Sequence, residues 1–331
     1  AAGLAYINYF AYLYSGKSTY ADTAKAFYAY YDSLPDGMSP DNEVIVSVGP
    51  YIAARLNAEQ GTAYDVGKAI RFSLLSYPDF PHDVRINWGA ISSAYPGAEG
   101  LIGSTASSPP LGYGMPTMTQ VGRMIPVAKY APAYARTVAR YAFNAANAMR
   151  GMWGDLVPDA NQPAEALAWM AKWDPDRSVG YEKAFVKSGQ YYPGTDEPGN
   201  YSVIYESAWV GFLSGIVPAA GASGNPLFLA NINATDFMGG TLQRWLIYNP
   251  SSTPDTVTLP LPPGTFKGWN SVSESLVFDN KSQAASVELG ADSAAVITLI
   301  PASDTVAVVN QRLMDTTLGE VVDYTAPAKY P

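Results

Sequence analysis

The chain of 331 residues contains no cysteine. This absence excludes disulfide bonds, thiolate zinc sites and cysteine nucleophiles within the chain. It leaves the redox compartment open, because proteins without disulfides occur both inside and outside cells. Histidine is scarce as well, since His82 is the single one. No HExxH motif, Walker loop or GxSxG motif occurs, and no cofactor is predicted.

Charged residues are also few, at 15% of the chain, and they give a formal net charge of −9. Lysine and arginine never form a run, so nucleic acid and anionic membrane surfaces are poor candidate partners. No stretch reaches the ~20 apolar residues that a membrane-spanning helix needs. For metals, Asp174-Pro175-Asp176 offers two carboxylates that suit calcium, but a helix break at the proline explains the pattern equally well.

Aromatic residues, by contrast, are abundant, with 24 Tyr and 7 Trp. Such rings fill protein cores, and they also stack on the apolar faces of sugars while their OH and NH groups form hydrogen bonds. For any single ring the core role is the more common one. The abundance nevertheless makes a glycan the first ligand class to consider.

The pattern of apolar residues changes near Phe237. Before this point, apolar side chains recur with the helical period of about 3.6 residues, as at Val44, Val48 and Ile52. The segment 6–14 is apolar on nearly all sides, so its helix is expected to be buried. The sequence therefore predicts a body of antiparallel helices over residues 1–236.

After Phe237 the apolar residues alternate with polar ones over short runs, which Pro, Gly and Asn separate. Alternation with a period of two is typical of strands that bury one face. The runs lie at 242–248, 257–261 and 295–299. We therefore expect an antiparallel β-sandwich over residues 237–331, with further strands in 306–324.

Three segments of the helical part break the periodic pattern and are predicted to be loops: 83–114, 154–163 and 191–200. Antiparallel helical hairpins place alternate loops at the same end, so these loops are expected to converge. Asn87 and Arg123 are further candidates for contact with a substrate. The loops would form a groove lined by Trp88, Tyr113, Trp153, Tyr191 and Tyr192.

The order of helices and then strands resembles the (α/α) toroid glycoside hydrolases and polysaccharide lyases that carry a C-terminal β-sandwich. Two passages support the resemblance: Trp245-Leu246-Ile247-Tyr248-Asn249-Pro250 looks like an opening strand of such a sandwich, and 290–301 looks like its closing strand. The chain departs from the pattern in showing about eight helices where a complete toroid has about twelve. The helical domain would then be an open half-toroid, or a missing N-terminal fragment or a second chain would complete it.

The resemblance implies a secreted or cell-surface protein whose partner is a glycan. Glycoside hydrolysis commonly uses two carboxylates roughly 5–10 Å apart, one as general acid and the other as base or nucleophile. The candidates among the aromatic segments are Asp155, Asp196, Glu197 and Glu206. Glu206 lies in an apolar segment, where burial would raise its pKa and suit it to act as the acid. A position at the solvent edge of its helix is the alternative.

Three functions therefore remain open from the sequence. The first is a glycoside hydrolase that acts on a neutral polysaccharide or oligosaccharide. The second is a glycan-binding or surface-structural protein without catalysis. The third is a polysaccharide lyase, for which His82, Asn87, Arg85, Tyr113 and Arg123 offer the required groups; the single histidine and the acidic surface count against it.

Overall fold

The computed structural model describes residues 1–37, 40–75, 88–91, 95, 97–104, 111–162, 164–177, 183–185, 191–193, 215–217 and 227–325. The chain forms two compact units, each built from several segments. Unit 1 comprises Ala1–Ala53, Tyr64–Val121 and Tyr141–Leu213. Unit 2 comprises Ala54–Ala63, Gly122–Arg140 and Ser214–Pro331. The division at residue 237 into two domains stays a prediction, since packing into units does not test which segments fold independently.

Eight α-helices lie wholly within the described residues, and all of them precede the strands of unit 2. They are α1 (Ala2–Ser15), α2 (Ser18–Asp32), α3 (Val48–Gln60), α4 (Val66–Leu74), α5 (Gly114–Met124), α6 (Val127–Tyr130), α7 (Ala135–Ala148) and α8 (Ala164–Trp173). In the part of the chain that the structure describes, no helix has both the length and the apolar character needed to cross a membrane.

Helix α1 packs against α2 through one face only. The buried residues of α1 are Ala2, Ala5 and Tyr9, which recur at the spacing of a single helical face. Gly16 ends the helix in the left-handed conformation, with φ of 69°, and its N–H donates to the carbonyl of Tyr12. The expectation that this helix is buried holds for this face alone, because Ile7 is 64% and Tyr14 87% exposed.

The predicted loop 83–114 contains regular structure in its described part. Short strands β1 (Trp88–Ala90), β2 (Ile102–Ser104) and β3 (Leu111–Tyr113) pair antiparallel, and they continue into β4 (Lys183–Phe185) and β5 (Tyr191–Pro193). The composition argues against long elements, but three-residue strands need little more than backbone pairing. Gly103 pairs with Gly89 and with Gly112. A Cβ atom at Gly103 would lie 3.1 Å from the side chain of Ile91, so the glycine permits a close approach.

The strands of unit 2 are antiparallel throughout the described residues. They are β6 (Phe228–Asn231), β7 (Arg244–Asn249), β8 (Asp255–Pro260), β9 (Phe266–Asn270), β10 (Ser275–Lys281), β11 (Ala284–Leu289), β12 (Ser293–Pro301), β13 (Val306–Val309), β14 (Arg312–Asp315) and β15 (Glu320–Asp323). One sheet has the order β10-β9-β12-β7-β6, a second pairs β11 with β8, and a third has the order β13-β14-β15. The predicted succession of helices and then antiparallel strands is confirmed.

The core of unit 2 is an apolar cluster to which two sheets contribute. Ile247 and Ile297 come from the five-stranded sheet, and Leu259 and Val287 come from the β8–β11 pair. Along β11 the residues alternate strictly between exposed and buried positions. The period of two in the sequence therefore reports a real buried face.

Candidate functional site

The five-stranded sheet of unit 1 brings two of the predicted groove residues into contact. Trp88 on β1 and Tyr113 on β3 have ring centroids 4.8 Å apart, with the ring planes tilted by 55°. Strand β2 joins them, since Trp88 pairs with Ser104 and Tyr113 pairs with Ile102. Trp88 is 9% exposed, whereas Tyr113 is partly exposed. Tyr113 is therefore the ring of this pair that a ligand can reach.

The same sheet carries the backbone of the other two tyrosines. Ala184 on β4 pairs with Leu111 of β3 and with Tyr192 of β5, and Phe185 pairs with Tyr191. Residues that are about 70 positions apart in the sequence, such as Leu111 and Ala184, thus become neighbours by strand pairing. The structure places four of the five predicted groove residues on one sheet.

Trp153 lies between two short 3₁₀ helices, Met149–Met152 and Gly154–Leu156. Its partly buried ring packs on an apolar cluster of unit 1. The cluster includes Ile91, which directly follows β1, and Leu101, which directly precedes β2. The segment of Trp153 and the sheet β1-β2-β3-β4-β5, which we call the aromatic sheet, therefore pack on one common apolar cluster.

Asp155 follows Trp153 by two residues and its side chain is exposed. Its charge acts on Arg177, whose pKa is raised first by a hydrogen bond to Asp159 and to a lesser degree by the charge of Asp155. Arg177 forms an ion pair with Asp159 and holds a positive φ of 51°. The pKa of Asp159 is lowered by this hydrogen bond. Asp155 thus lies in the field of a fixed guanidinium.

The remaining predicted site residues fall into two groups. Arg123 lies in the last turn of α5 and belongs to unit 2. The others lie outside the described residues: Asn87, Asp196, Glu197, Glu206, and the lyase candidates His82 and Arg85. The predicted distance between two catalytic carboxylates therefore stays a prediction.

A buried cluster of charged side chains in unit 2 was not predicted. The ammonium of Lys129 donates to Asp236 at 2.6 Å and to the hydroxyl of Tyr130 at 3.1 Å. Tyr130 in turn donates to the other oxygen of Asp236 at 2.9 Å. Arg55 lies 3.6 Å from Asp236 and is held by Glu59 at 2.8 Å. The side chains of Lys129, Asp236 and Arg55 are at most 2% exposed.

This cluster anchors a turn rather than opening onto a ligand. Arg55 donates to the carbonyls of Phe237 at 2.6 Å and Met238 at 2.9 Å, and Lys129 donates to that of Gly239. Burial, followed by the charge of Arg244, lowers the pKa of Lys129 to about 8, and Asp236 opposes the shift. Because these donors are directed at the protein's own carbonyls, we assign the cluster a structural role.

Asp41 in unit 1 is a second buried carboxylate that the sequence argument did not single out. It is 4% exposed, and it accepts a hydrogen bond of 2.5 Å from Tyr31. Burial raises its pKa to about 7, against the effect of the Tyr31 hydrogen bond. No ion pair of Asp41 occurs within the described residues, so burial dominates.

A sequence signal for one of these residues did exist. Lys129 stands in the run Ile125-Pro126-Val127-Ala128-Lys129-Tyr130, where a charge among apolar residues requires a partner. Asp236 lies 107 positions away, and nothing local indicates the pairing.

For metals, no group of three or more carboxylate or imidazole side chains suited to an ion occurs in the described part of the chain. Asp174 is buried and Asp176 is exposed, so the two carboxylates proposed for calcium occupy different environments.

Comparison with known proteins adds no assignment. No protein-family model matches the chain, and no curated protein is significantly similar to it. The functional argument therefore rests on the geometry of the chain itself.

Proposed function

We propose that the chain is a secreted or cell-surface glycoside hydrolase that acts on a neutral polysaccharide or oligosaccharide at the five-stranded sheet of unit 1. One observation supports this most. Ile91 and Leu101 beside the sheet share an apolar cluster with Met152, Trp153 and Val157. The cluster holds the segment of Asp155 next to strands that carry aromatic rings. Rings and a carboxylate in one neighbourhood are part of what binding and cleavage of a sugar require, and a second carboxylate completes the set.

The aromatic rings take different roles in this proposal. Tyr113 and Trp153 are partly exposed, and the proposal assigns the exposed part of each ring to contact with the apolar side of a sugar ring. Trp88 is 9% exposed and packs against Tyr113, so it fixes the orientation of that ring. Tyr191 and Tyr192 lie on β5 of the same sheet, and the proposal keeps them as candidates for contact with the sugar.

The carboxylates also divide by environment. Asp155 is exposed and its charge acts on Arg177, and the proposal gives Asp155 the role of base or nucleophile. A general acid instead needs a carboxyl that is withdrawn from water. The proposal gives this role to Glu206, whose neighbours in the sequence are apolar, with Asp196 and Glu197 as the other candidates.

The finer architecture belongs to the same proposal. We infer a β-sandwich in unit 2, which the common apolar cluster of the β8–β11 pair and the five-stranded sheet supports. We infer an incomplete (α/α) toroid for the helices, supported by the α1–α2 hairpin. The exposed side chains Leu4, Ile7 and Tyr14 of α1 are where a further helix, from a missing fragment or a second chain, would pack.

The test of the proposed activity is the release of reducing ends from neutral polysaccharides by four amide variants: Asp155→Asn, Asp196→Asn, Glu197→Gln and Glu206→Gln. Two of them are expected to lower turnover by about 10²–10⁴-fold, since each removes an acid or base that acts in the transition state. Their thermal midpoints should stay near that of the unchanged chain. Glu165→Gln, an exposed carboxylate on α8, is the matched control and should retain full turnover.

Equal turnover by all four variants would contradict the assignment of these carboxylates. A chain that binds neutral glycans but releases no reducing ends would be a binding protein without catalysis. That alternative draws on a specific observation, because the aromatic sheet offers binding surface whether or not a second carboxylate faces Asp155.

A further inference from the structure

Unit 2 contains a concave site of its own. It is a cleft of about 360 Å³ between the start of α7, the turn that joins β9 to β10 and the turn before β12. This volume is at the lower end of the range of roughly 300–1,000 Å³ that small-molecule sites show. No residue of the cleft belongs to the groove predicted from the sequence.

The walls of the cleft are fixed by a hydrogen-bond network centred on Asp292. Arg136 donates through Nε to the carbonyl of Asp292 at 2.8 Å and through Nη2 to its carboxylate. Tyr248 donates to the same carboxylate at 2.7 Å. The N–H of Asp292 donates to the carbonyl of Ser251 at 2.9 Å. The geometry of this wall is therefore set before any ligand arrives.

Two of the lining residues hold a backbone conformation that glycine adopts more readily. Asp292 has φ of 44° and Glu274 has φ of 49°. Side chains with a Cβ atom are disfavoured there, and such positions persist where the surrounding structure fixes them. Both residues line the cleft.

Polar groups remain open around the cleft. Arg136 uses Nε and Nη2 for Asp292, which leaves Nη1 with no hydrogen-bond partner among residues of the described segments. The exposed carboxylate of Glu274 likewise makes no hydrogen bond or ion pair there. The lining also includes the apolar residues Pro132, Ala133 and Ala294. A ligand would thus meet a donor, an acceptor and apolar side chains in one cleft.

The charges decide which ligand class fits. Arg136 is neutralised by Asp292, and Glu274 then leaves the cleft with a formal charge of −1. An anionic ligand is repelled by this charge. A ligand with neighbouring hydroxyl groups can accept from Arg136 and donate to Glu274, while its C–H face covers the apolar side chains.

We propose that this cleft is a second glycan-binding site, which takes one or two units of a neutral sugar. The proposal goes beyond the proposed hydrolase, because it assigns a separate site in unit 2 and would hold for a chain that catalyses nothing.

The test follows the backbone amide signals of 271–274 and 292–294 by NMR while cellobiose, maltose and mannobiose are added separately to the intact chain. At least one sugar should shift these signals saturably, with a dissociation constant of about 10 mM or tighter. Ala133→Phe fills the cleft from an exposed position and should abolish the shifts. Ala160→Phe, at an exposed alanine of unit 1, should leave them unchanged.

Three results would overturn the proposal. They are no saturable shift with any of the three sugars, the same shifts in Ala133→Phe, and saturation by glucuronate or by proline in place of the neutral sugars. Because the signals report on unit 2 directly, this test remains valid if the amide variants keep their turnover. The turnover test likewise remains valid if no sugar shifts the signals of unit 2.

Discussion

Asp236→Asn is expected to lower the free energy of unfolding by about 3–5 kcal/mol, because it removes the anion from a buried charge cluster. Lys129, Arg55 and Arg244 all lie near this carboxylate, and their side chains are almost wholly buried. Asparagine has the same shape and still accepts one hydrogen bond, but it carries no charge. Lys129 would then lose its 2.6 Å ion pair inside the protein.

Urea unfolding at pH 7, followed by circular dichroism, measures this loss. Asp22→Asn is the matched control, since it removes the same charge from an exposed ion pair with Lys25, which water screens, and should have a much smaller effect. A loss for Asp236→Asn as small as that of the control would show that the cluster contributes little to stability.

Asp41→Asn is expected to gain stability relative to the unchanged chain as the pH rises. The carboxyl of Asp41 has a pKa of about 7 in the folded chain, against 3.8 as the ordinary value. Between these pH values the folded chain holds a proton that the unfolded chain has released, so stability falls with increasing pH. From pH 5 to pH 8 this group should lower the free energy of unfolding by about 3 kcal/mol, at 1.36 kcal/mol per pH unit up to pH 7. Asparagine has no such dependence.

The measurement is the difference in unfolding free energy between Asp41→Asn and the unchanged chain at pH 5, 6, 7 and 8. This difference should shift in favour of the variant by about 3 kcal/mol across the series. A difference that stays constant with pH would mean that Asp41 is ionised in the folded chain throughout. Replacement by asparagine is thus expected to destabilise the chain at Asp236, which faces cations. At Asp41, which faces a tyrosine hydroxyl, it is expected to favour stability increasingly as the pH rises.

The order of elements could be predicted from the sequence because it depends on local periodicity. The alternation in 257–261 became β8, whose residues Val257 and Leu259 point into the core. The start of a helix such as α4 is also a local signal, because the N-cap Asp65 accepts a hydrogen bond from the backbone N–H of Lys68. These signals lie within a few residues of the structure that they determine.

What could not be predicted depends on pairing across long distances. The strand Leu111–Tyr113 pairs with Lys183–Phe185, some 70 positions further on, and neither triplet has a strand pattern of its own. Lys129 and Asp236 likewise meet only in the folded chain. The burial of α1 was overestimated for a related reason, since composition does not show which face of a helix has a partner.

Affinity electrophoresis of the intact chain in gels that contain neutral polysaccharides tests the central claim most directly. Tyr113→Ala removes the reachable ring of the aromatic sheet, and Tyr30→Ala removes a ring that is 64% exposed on α2. We expect a neutral polysaccharide to retard the unchanged chain and Tyr30→Ala. Tyr113→Ala should lose most of the retardation, since one stacked ring contributes about 1 kcal/mol or more. Its circular dichroism spectrum should match that of the unchanged chain. Equal retardation of the two variants, or no retardation of the unchanged chain by any neutral polysaccharide, would contradict the claim.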